Sequence, residues 1–284
     1  MFAGRVEFGI VKIEPIGLAW AVGFLFGLWL AVRRAEKVGF SPQSVINLSV
    51  LMFFSAFLGA KIFFLAFHWR EFAANPTSFL YLNMSGSGAF GAVLLSIPVA
   101  ILYLRKRTQN VWQVLDILTP SWAFIVGLGR LGCHASGCCF GMPTKSAFGM
   151  IFLPDSPAGS AFPGQALVPT QLLSAVKGFS LFGLILLAER KKNFPGQTFC
   201  TMLFFYSVGR FFIDFYRYYE SDMFLFSVGS YNVPATQVIA LALAVAAIAV
   251  GQYLGSRQPS KGRRNNSIFL AYKTMSHSRG RSQY

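Results

Sequence analysis

The chain has little charge, and very little negative charge. Only 12% of its 284 residues are charged, against roughly 25% in soluble domains. Ten acidic residues stand against 25 lysines and arginines, and the mean hydropathy is +0.52. This balance excludes an ordinary soluble enzyme and predicts an all-α protein, a bundle of helices that crosses the membrane several times.

The excess of positive charge does not indicate nucleic-acid binding. The basic residues stand in short clusters between apolar runs, not among the exposed aromatics of a soluble domain. Such clusters are typical of the loops on the cytoplasmic side of a membrane protein. We therefore expect membrane lipids, and no nucleic acid, as partners of this charge.

Seven apolar runs, each close to the roughly 20 residues that cross a bilayer, predict about seven transmembrane helices. The connectors after the first, third, fifth and seventh runs are rich in lysine and arginine, which places the N-terminus outside and the C-terminus in the cytoplasm. The longer loops on the other side contain only Arg70 and Lys145 as clear positives. The runs cover residues 12–32, 44–68, 86–104, 114–131, 171–188, 198–217 and 234–254.

The chain divides into a membrane domain and a basic tail. The first run lacks the small-residue cleavage site of a signal peptide, so we treat it as a span and assign residues 1–255 to one transmembrane domain. Residues 256–284 are basic and contain no acidic residue. This composition predicts a disordered cytoplasmic tail that lies against anionic lipid headgroups.

The densest group of functional residue types lies at the end of the fourth run. Residues 129–141 contain Arg130, His134, three of the four cysteines and four glycines. An arginine at the end of a hydrophobic helix is costly near lipid unless it faces a cavity or an anion. Arg130 is therefore a candidate functional residue.

A second group of polar residues lies in the sixth run. Tyr206, Arg210 and Asp214 are spaced four apart and share one face of a helix. The simpler interpretation is an intrahelical ion pair that neutralises the arginine, but the added tyrosine favours a functional one. Lys61, in the second run, could also extend its flexible stem to the interface.

Two arginines that converge from different helices would bind a phosphate, because planar guanidinium groups hold phosphate oxygens through paired hydrogen bonds. In a bilayer the obvious phosphate is a lipid headgroup. Gly86, Ser87 and Gly88 would let the backbone approach such a ligand closely. Small residues in spans also serve helix packing, so this stretch has two interpretations.

Cys133, Cys138 and Cys139 also have two interpretations. Together with His134 they could bind zinc, but the chain lacks the paired C-x2-4-C modules of structural zinc sites, so we predict no metal. An oxidising outer face would allow a disulfide from Cys133 to Cys138 or Cys139. Cys200 is most simply a buried apolar residue.

In the order of these features the chain resembles the bacterial prolipoprotein diacylglyceryl transferases, integral enzymes of the inner membrane, over nearly all of its first 255 residues. Tyr206, Arg210 and Asp214 resemble the family's late Tyr-x3-Arg-x3-acid pattern. Residues 22–35, 59–61, 169–172 and 236–237 are similar to family segments, and the glycine-arginine signature is matched by Gly129, Arg130, Gly137 and Gly141.

The resemblance implies transfer of a diacylglyceryl group from phosphatidylglycerol to the lipobox cysteine thiol in the signal peptide of a preprolipoprotein. Arg130 and Arg210 would bind the phosphate, and Tyr206 would orient the headgroup or help to accept the thiol proton. The nucleophile belongs to the substrate, so no metal or organic cofactor is implied. The expected substrate-binding residues are Gly129, Gly137, Gly141, Gly86, Ser87, Gly88, Lys61, Asp214 and Gln171.

The chain departs from the family pattern at polar positions. The acid expected after the glycine-arginine signature is missing, and Gly86 stands where a histidine is expected. Of the three histidines, His68 and His277 lie away from the site. We therefore put His134 forward as the proton acceptor; the alternative is a loop residue bonded to backbone.

Other functions remain open at this point. A diverged relative could act on or bind another phospholipid, or bind lipid without catalysis. A transporter would distribute polar residues along a path through the membrane, whereas here they cluster near residues 129–141 and in the sixth run. We expect a cavity among the second, third, fourth and sixth spans that opens sideways to lipid, because both substrates are membrane-anchored.

Overall fold

The computed structural model describes residues 6–8, 11–13, 15–67, 88–107, 111–219 and 223–257. Most of these residues are helical, which confirms the prediction of a helical membrane protein. The helices are α1 (Pro15–Lys37), α2 (Pro42–Phe67), α3 (Gly88–Arg107), α4 (Val111–Ala135), α5 (Pro157–Ala161), α6 (Thr170–Ala188), α7 (Gln197–Asp214) and α8 (Ala235–Ser256).

Prolines mark most of the helix starts. Helices α1, α2 and α5 begin with a proline, and α6 and α8 directly follow Pro169 and Pro234. Proline suits these positions because its missing N–H has no partner in the first turn of a helix. At the start of α2 the hydroxyl of Ser41 also accepts a hydrogen bond from the backbone N–H of Ser44.

Two small antiparallel hairpins depart from the all-α prediction. Strand β1 (Val6–Phe8) pairs with β2 (Val11–Ile13), and β3 (Phe224–Val228) pairs with β4 (Tyr231–Pro234). Each strand has three to five residues. Segments this short give no clear alternation in the sequence, so hydropathy did not reveal them.

Five of the described helices are long and apolar enough to cross a membrane: Pro15–Lys37, Pro42–Ile62, Val111–Ala135, Thr170–Lys191 and Ala235–Ser256. The third and sixth apolar runs also form helices, α3 of 20 residues and α7 of 18 residues. The chain is thus a membrane protein with several apolar helices.

Helix α4 is central to the described bundle. It packs against α1, α6 and α7, while α2 pairs with α3 and α7 pairs with α8. Helices α4 and α6 cross at touching distance, since a Cβ placed on Gly178 would lie 2.6 Å from the Cα of Gly127. Small residues at such crossings let helix backbones approach closely inside a membrane.

One end of the bundle is joined by Arg34, near the end of α1. Its Nε donates to the backbone carbonyl of Ile117 in α4, over 3.0 Å. Its Nη1 donates to Glu189, directly after α6, over 2.7 Å. The ends of α1 and α6 therefore lie on the same side as the start of α4, as the distribution of basic connectors predicted.

Asp116 is a buried acid at this same end. Its carboxylate accepts hydrogen bonds from the backbone N–H groups of Gly196, over 2.6 Å, and Phe199, over 2.9 Å. Its Oδ2 also lies 2.7 Å from the ammonium of Lys192. A side chain of α4 thus caps the first turn of α7, whose exposed N–H groups favour a negative charge.

Candidate functional site

Arg210 lies in a buried hydrogen-bond network near the end of α7. Its Nε lies 3.0 Å from Oδ1 of Asp214, and its Nη2 donates to the Tyr219 hydroxyl over 2.7 Å. The hydroxyls of Tyr219 and Thr236 both donate to the Asp214 carboxylate over 2.8 Å. The predicted ion pair is present, and two further residues hold it in one orientation.

The sequence analysis did not identify Tyr219, because it lies beyond the end of α7 and outside the helical spacing. Burial raises the pKa of Tyr219 above its ordinary value, although the nearby Arg210 and Arg217 oppose this effect. The phenol therefore keeps its proton at neutral pH. It can receive a hydrogen bond from Arg210 and donate one to Asp214 at the same time.

Arg130 is a partly buried cation near the end of α4. It lies within electrostatic range of Tyr206 and of the thiols of Cys133, Cys138 and Cys139. Within the described parts of the chain its guanidinium makes no hydrogen bond or ion pair. An arginine held there without a partner can bind an anion, because a bound anion offsets the cost of its burial.

Lys177 adds a third cation, from α6. Its ammonium lies 3.9 Å from the centre of the Tyr206 ring, and it interacts electrostatically with Arg210 and Arg130. Its stem packs on α7, since a Cβ at Gly209 would lie 2.5 Å from the lysine Cδ. Lys177 was counted as part of the fifth apolar run, although a lysine inside such a run is itself an indication of a functional site.

An open groove of about 190 Å³ lies between α7 and α8. Tyr206, Ser207 and Arg210 of α7 line it together with Thr236, and the wall continues along α8 as Ile239, Ala240 and Leu243. One end of the groove is thus polar and cationic, and the rest is apolar. This groove lies beside the sixth and seventh runs, whereas the sequence analysis expected a cavity among the second, third, fourth and sixth.

The turn after α4 is held by the start of α6. The side-chain amide of Gln171 donates to the backbone carbonyl of Cys138 over 2.8 Å. The hydroxyl of Thr170 donates to the carbonyl of Cys139 over 2.9 Å. Gln171 is fully buried, and among the described residues its Oε1 makes no hydrogen bond. The described contacts of Gln171 therefore support a role in positioning this turn, and its predicted role in substrate binding stays a prediction.

The signature glycines make room for neighbouring segments. A Cβ at Gly129 would lie 3.0 Å from the Trp20 ring of α1, and a Cβ at Gly141 would lie 2.6 Å from the carbonyl oxygen of Val168. Gly137 has a φ of 65°, a conformation that favours glycine. The described contacts of these three glycines are therefore with the protein, and their role toward a substrate stays a prediction.

The sulfur atoms of Cys133, Cys138 and Cys139 all lie within 4.8 Å of one another. All four cysteines, including Cys200 in α7, are free thiols, and neither of the disulfides that an oxidising outer face would allow is formed. Hydrogen bonds from the Cys133 and Cys138 thiols, with Arg217 and Arg130 nearby, hold the pKa of Cys139 below its ordinary value.

His134 lies in the last turn of α4 and not in a loop. Its ring meets that of Phe152 edge to face, with 5.8 Å between the ring centres, and among the described residues its buried Nδ1 has no hydrogen-bond partner. His134 is four positions after Arg130 in the sequence, so the two side chains lie on the same face of α4. This position allows the predicted role and does not test it.

The remaining predicted residues lie in α2 or near the start of α3. Lys61 is buried, with its ammonium 6.0 Å from the centre of the Phe57 ring. Helix α3 begins at Gly88. Gly86 and Ser87 lie outside the described residues, and the predicted approach of this backbone to a ligand stays a prediction.

The family model for prolipoprotein diacylglyceryl transferase matches residues 5–253. The chain is 33% identical over 211 residues to phosphatidylglycerol–prolipoprotein diacylglyceryl transferase 2 of Clostridium perfringens, which covers 74% of this chain and 80% of that protein. It is 31% identical to the Clostridium tetani enzyme of the same description, covering 74% and 82%. The Bacillus anthracis enzyme is 29% identical, covering 74% and 78%.

Proposed function

Because the chain belongs to the prolipoprotein diacylglyceryl transferase family, we propose that it moves the diacylglyceryl group of phosphatidylglycerol onto the lipobox cysteine thiol of preprolipoproteins. Its relatives are transferases described by this donor and this acceptor protein. The observation that supports the assignment best is that Lys177 lies within electrostatic range of both Arg130 and Arg210, so that cations from three helices lie near one another, and that Arg210 lines the groove between α7 and α8.

In this reaction the substrate sulfur attacks the glycerol carbon that is bonded to a phosphate oxygen. A carbon–sulfur bond forms, the carbon–oxygen bond breaks, and its electron pair leaves on glycerol phosphate. Negative charge therefore grows on the phosphate in the transition state. Cations already oriented toward that charge lower the barrier, because they need no reorganisation as the bond breaks.

We assign the phosphate to Arg130, Lys177 and Arg210. Arg130 has its guanidinium free of described partners, and Lys177 lies near it. The network with Asp214 and Tyr219 uses Nε and Nη2 of Arg210, so that among the described residues Nη1 is left for a ligand. The apolar wall of the groove along α8 suits an acyl chain of the donor.

Lys177→Met should lower kcat/KM for the transfer by about tenfold to a hundredfold, somewhat less than loss of a single oxyanion donor. Methionine keeps the apolar stem and removes only the positive charge. Gly209→Ala should give a smaller loss of the same kind, because the added Cβ displaces the lysine stem. The exposed Lys145, changed to methionine, serves as the control; equal rates in all variants would remove Lys177 from the site.

We propose His134 as the acceptor of the thiol proton. His134→Ala should then lower kcat by about 10² to 10⁴, the usual contribution of a general base, and added imidazole should restore part of the rate. Phe152→Leu, which changes the ring next to His134 and leaves the imidazole, should keep most of the activity. Unchanged turnover of the His134 variant would eliminate the role.

We propose seven spans, with the N-terminus outside and the C-terminus in the cytoplasm of a bacterial inner membrane. Support comes from the two ends of the bundle: Arg34 and Lys192 lie at the basic end, and Arg130 lies at the opposite end of α4. On this orientation residues 1–255 present the site toward the outer face. We place residues 256–284, which lie outside the described residues from 258 onward, in the cytoplasm as the tail that contacts membrane lipids.

The full-length protein, reconstituted in phosphatidylglycerol vesicles, should convert a lipobox peptide to its diacylglyceryl thioether, as measured by mass spectrometry. A matched peptide with serine in place of the cysteine should not react. Vesicles of phosphatidylethanolamine alone should give little product. If the folded protein binds phosphatidylglycerol and transfers nothing, the transferase assignment fails and lipid binding without catalysis replaces it.

A further inference from the structure

The thiols of Cys133, in the last turn of α4, and of Cys138 and Cys139, in the turn that follows, are arranged as ligands of one ion. We propose that Cys133, Cys138 and Cys139 bind a thiophilic metal ion of the Zn²⁺ class, and that the substrate cysteine thiol completes its coordination. Metal binding is independent of the proposed function, whereas coordination of the substrate thiol rests on the proposed function. The sequence analysis predicted no metal, because the C-x4-C-C spacing does not match the paired modules of structural zinc sites.

The distances between the sulfurs fit a shared ion. Zinc–sulfur bonds of about 2.3 Å in a tetrahedral site place the sulfur ligands about 3.8 Å apart. The three sulfurs here already lie within 4.8 Å of one another, so small side-chain rotations suffice. A disulfide would bring only two sulfurs together, whereas here all three pairs of sulfurs lie within 4.8 Å.

The fold holds the turn in the conformation that brings these sulfurs together. The backbone N–H of Cys138 donates to the carbonyl of Cys133, over 3.1 Å. Gln171 and Thr170 of α6 hold the carbonyls of Cys138 and Cys139. Cys139 has a φ of 60°, which costs a residue other than glycine about 1 kcal/mol.

The surroundings of the cluster suit thiolate ligands. Three thiolates around a divalent cation have a net charge of −1, and the guanidinium groups of Arg130 and Arg217 interact electrostatically with Cys139. These cations offset the charge of the complex. Soft thiolate ligands select metals such as zinc or monovalent copper over magnesium or calcium.

A three-ligand site next to Arg130 also suits the chemistry of the substrate. Cys133 is buried, but Cys138 and Cys139 are partly exposed, so a substrate can reach the ion. Three protein ligands leave the fourth position of a tetrahedral ion for a substrate atom. The bound thiol would give its proton to His134 and attack the glycerol carbon with a sulfur electron pair. The carbon–oxygen bond would break with its electron pair leaving on glycerol phosphate, and the oxidation state of the metal would not change.

Metal content of the full-length, reduced protein tests the first part. After incubation with Zn²⁺ and removal of free metal, the protein should retain stoichiometric zinc, and Cd²⁺ should produce a thiolate charge-transfer band. Cys133→Ser, Cys138→Ser and Cys139→Ser should each weaken binding by more than about 100-fold, beyond the effect of losing an outer partner. Cys200→Ser, which removes a thiol buried in α7, should bind as the unaltered protein does.

Thr170→Val keeps the inference testable if a cysteine variant fails to fold. It removes the hydroxyl that holds the Cys139 carbonyl and leaves every thiol in place. Affinity should fall by about tenfold. Two results would overturn the metal site. One is that the unaltered protein retains no more zinc than the cysteine variants do, and the other is a disulfide from Cys133 to Cys138 or Cys139 in protein isolated without reductant.

A lipobox peptide tests the second part. Added to the Cd²⁺ form, the peptide with cysteine should change the charge-transfer band, and the matched serine peptide should not. If the ion binds and the band does not respond to the cysteine peptide, or if metal-free protein transfers lipid equally fast, coordination of the substrate is wrong. If zinc binds and no lipid is transferred, the proposed function fails while the metal site stands.

Discussion

Arg130→Ala is expected to lower kcat/KM for diacylglyceryl transfer by about 10³-fold, the upper range for loss of one preorganised donor to a developing negative charge. The guanidinium has no described protein partner and lies in range of Tyr206, so its removal deprives the phosphate of a ligand without breaking an internal ion pair. Thermal stability should therefore be unchanged or slightly higher, because an unpaired cation is costly to bury. Rate and unfolding temperature, measured on the same preparation, check both parts.

Comparison of Arg130→Lys with Arg130→Ala distinguishes paired hydrogen bonds to the phosphate from an effect of positive charge alone. Arg130→Lys retains the charge but not the planar fork, so we expect a loss of about 10². Lys145→Ala, in the loop after α4 and exposed, is the control for an altered basic residue on the same side. If folded Arg130→Ala protein transfers lipid at the normal rate, Arg130 does not bind the phosphate. A loss of thermal stability would instead show that the guanidinium stabilises the fold.

Asp116→Ala is expected to destabilise the protein by about 3 kcal/mol, the range for removing one partner of a buried ion pair. Two backbone N–H groups at the start of α7 would lose their acceptor, and the ammonium of Lys192 would lose its partner. The cations to which we assign the phosphate, such as Arg130 near the end of α4, lie at the other end of the bundle. At temperatures where the variant stays folded, kcat should therefore be nearly unchanged.

Unfolding of the detergent-solubilised protein, followed by loss of helical circular dichroism, measures this effect. Asp116→Asn keeps one acceptor oxygen and should lose about half as much free energy. Asp155→Ala replaces an exposed acid in the loop after α4 and should change stability by less than about 0.5 kcal/mol. Equal stabilities of the alanine variants would show that the cap contributes nothing.

Hydropathy predicted the helices well, because a run that is apolar over roughly 20 residues has few stable alternatives. All seven runs correspond to helices, although α1 continues to Lys37, five residues beyond the run that ends at residue 32. The hairpins and the cap of α7 by Asp116 were not predicted. The cap joins residues 80 and 83 positions apart, a separation that local patterns cannot resolve.

Helical spacing predicted one contact of the candidate site. Arg210 and Asp214 pair as their spacing of four indicates. Tyr219 reaches them only because the chain turns back after α7, and Lys177 was hidden in a run counted as apolar. The approach of the three sulfurs depends on the torsions at Gly137 and Cys139, which residue spacing does not show.

The contact between Arg34 and Glu189 constrains the order in which the chain can assemble during synthesis. The two residues are 155 positions apart, so Arg34 is made long before its carboxylate partner exists. Asp116 likewise precedes the N–H groups that it caps by about 80 residues. Five long helices, α1 to α4 and α6, precede α7 in the chain, so the contacts of Glu189 and Asp116 at the basic end can form only after those helices have been made.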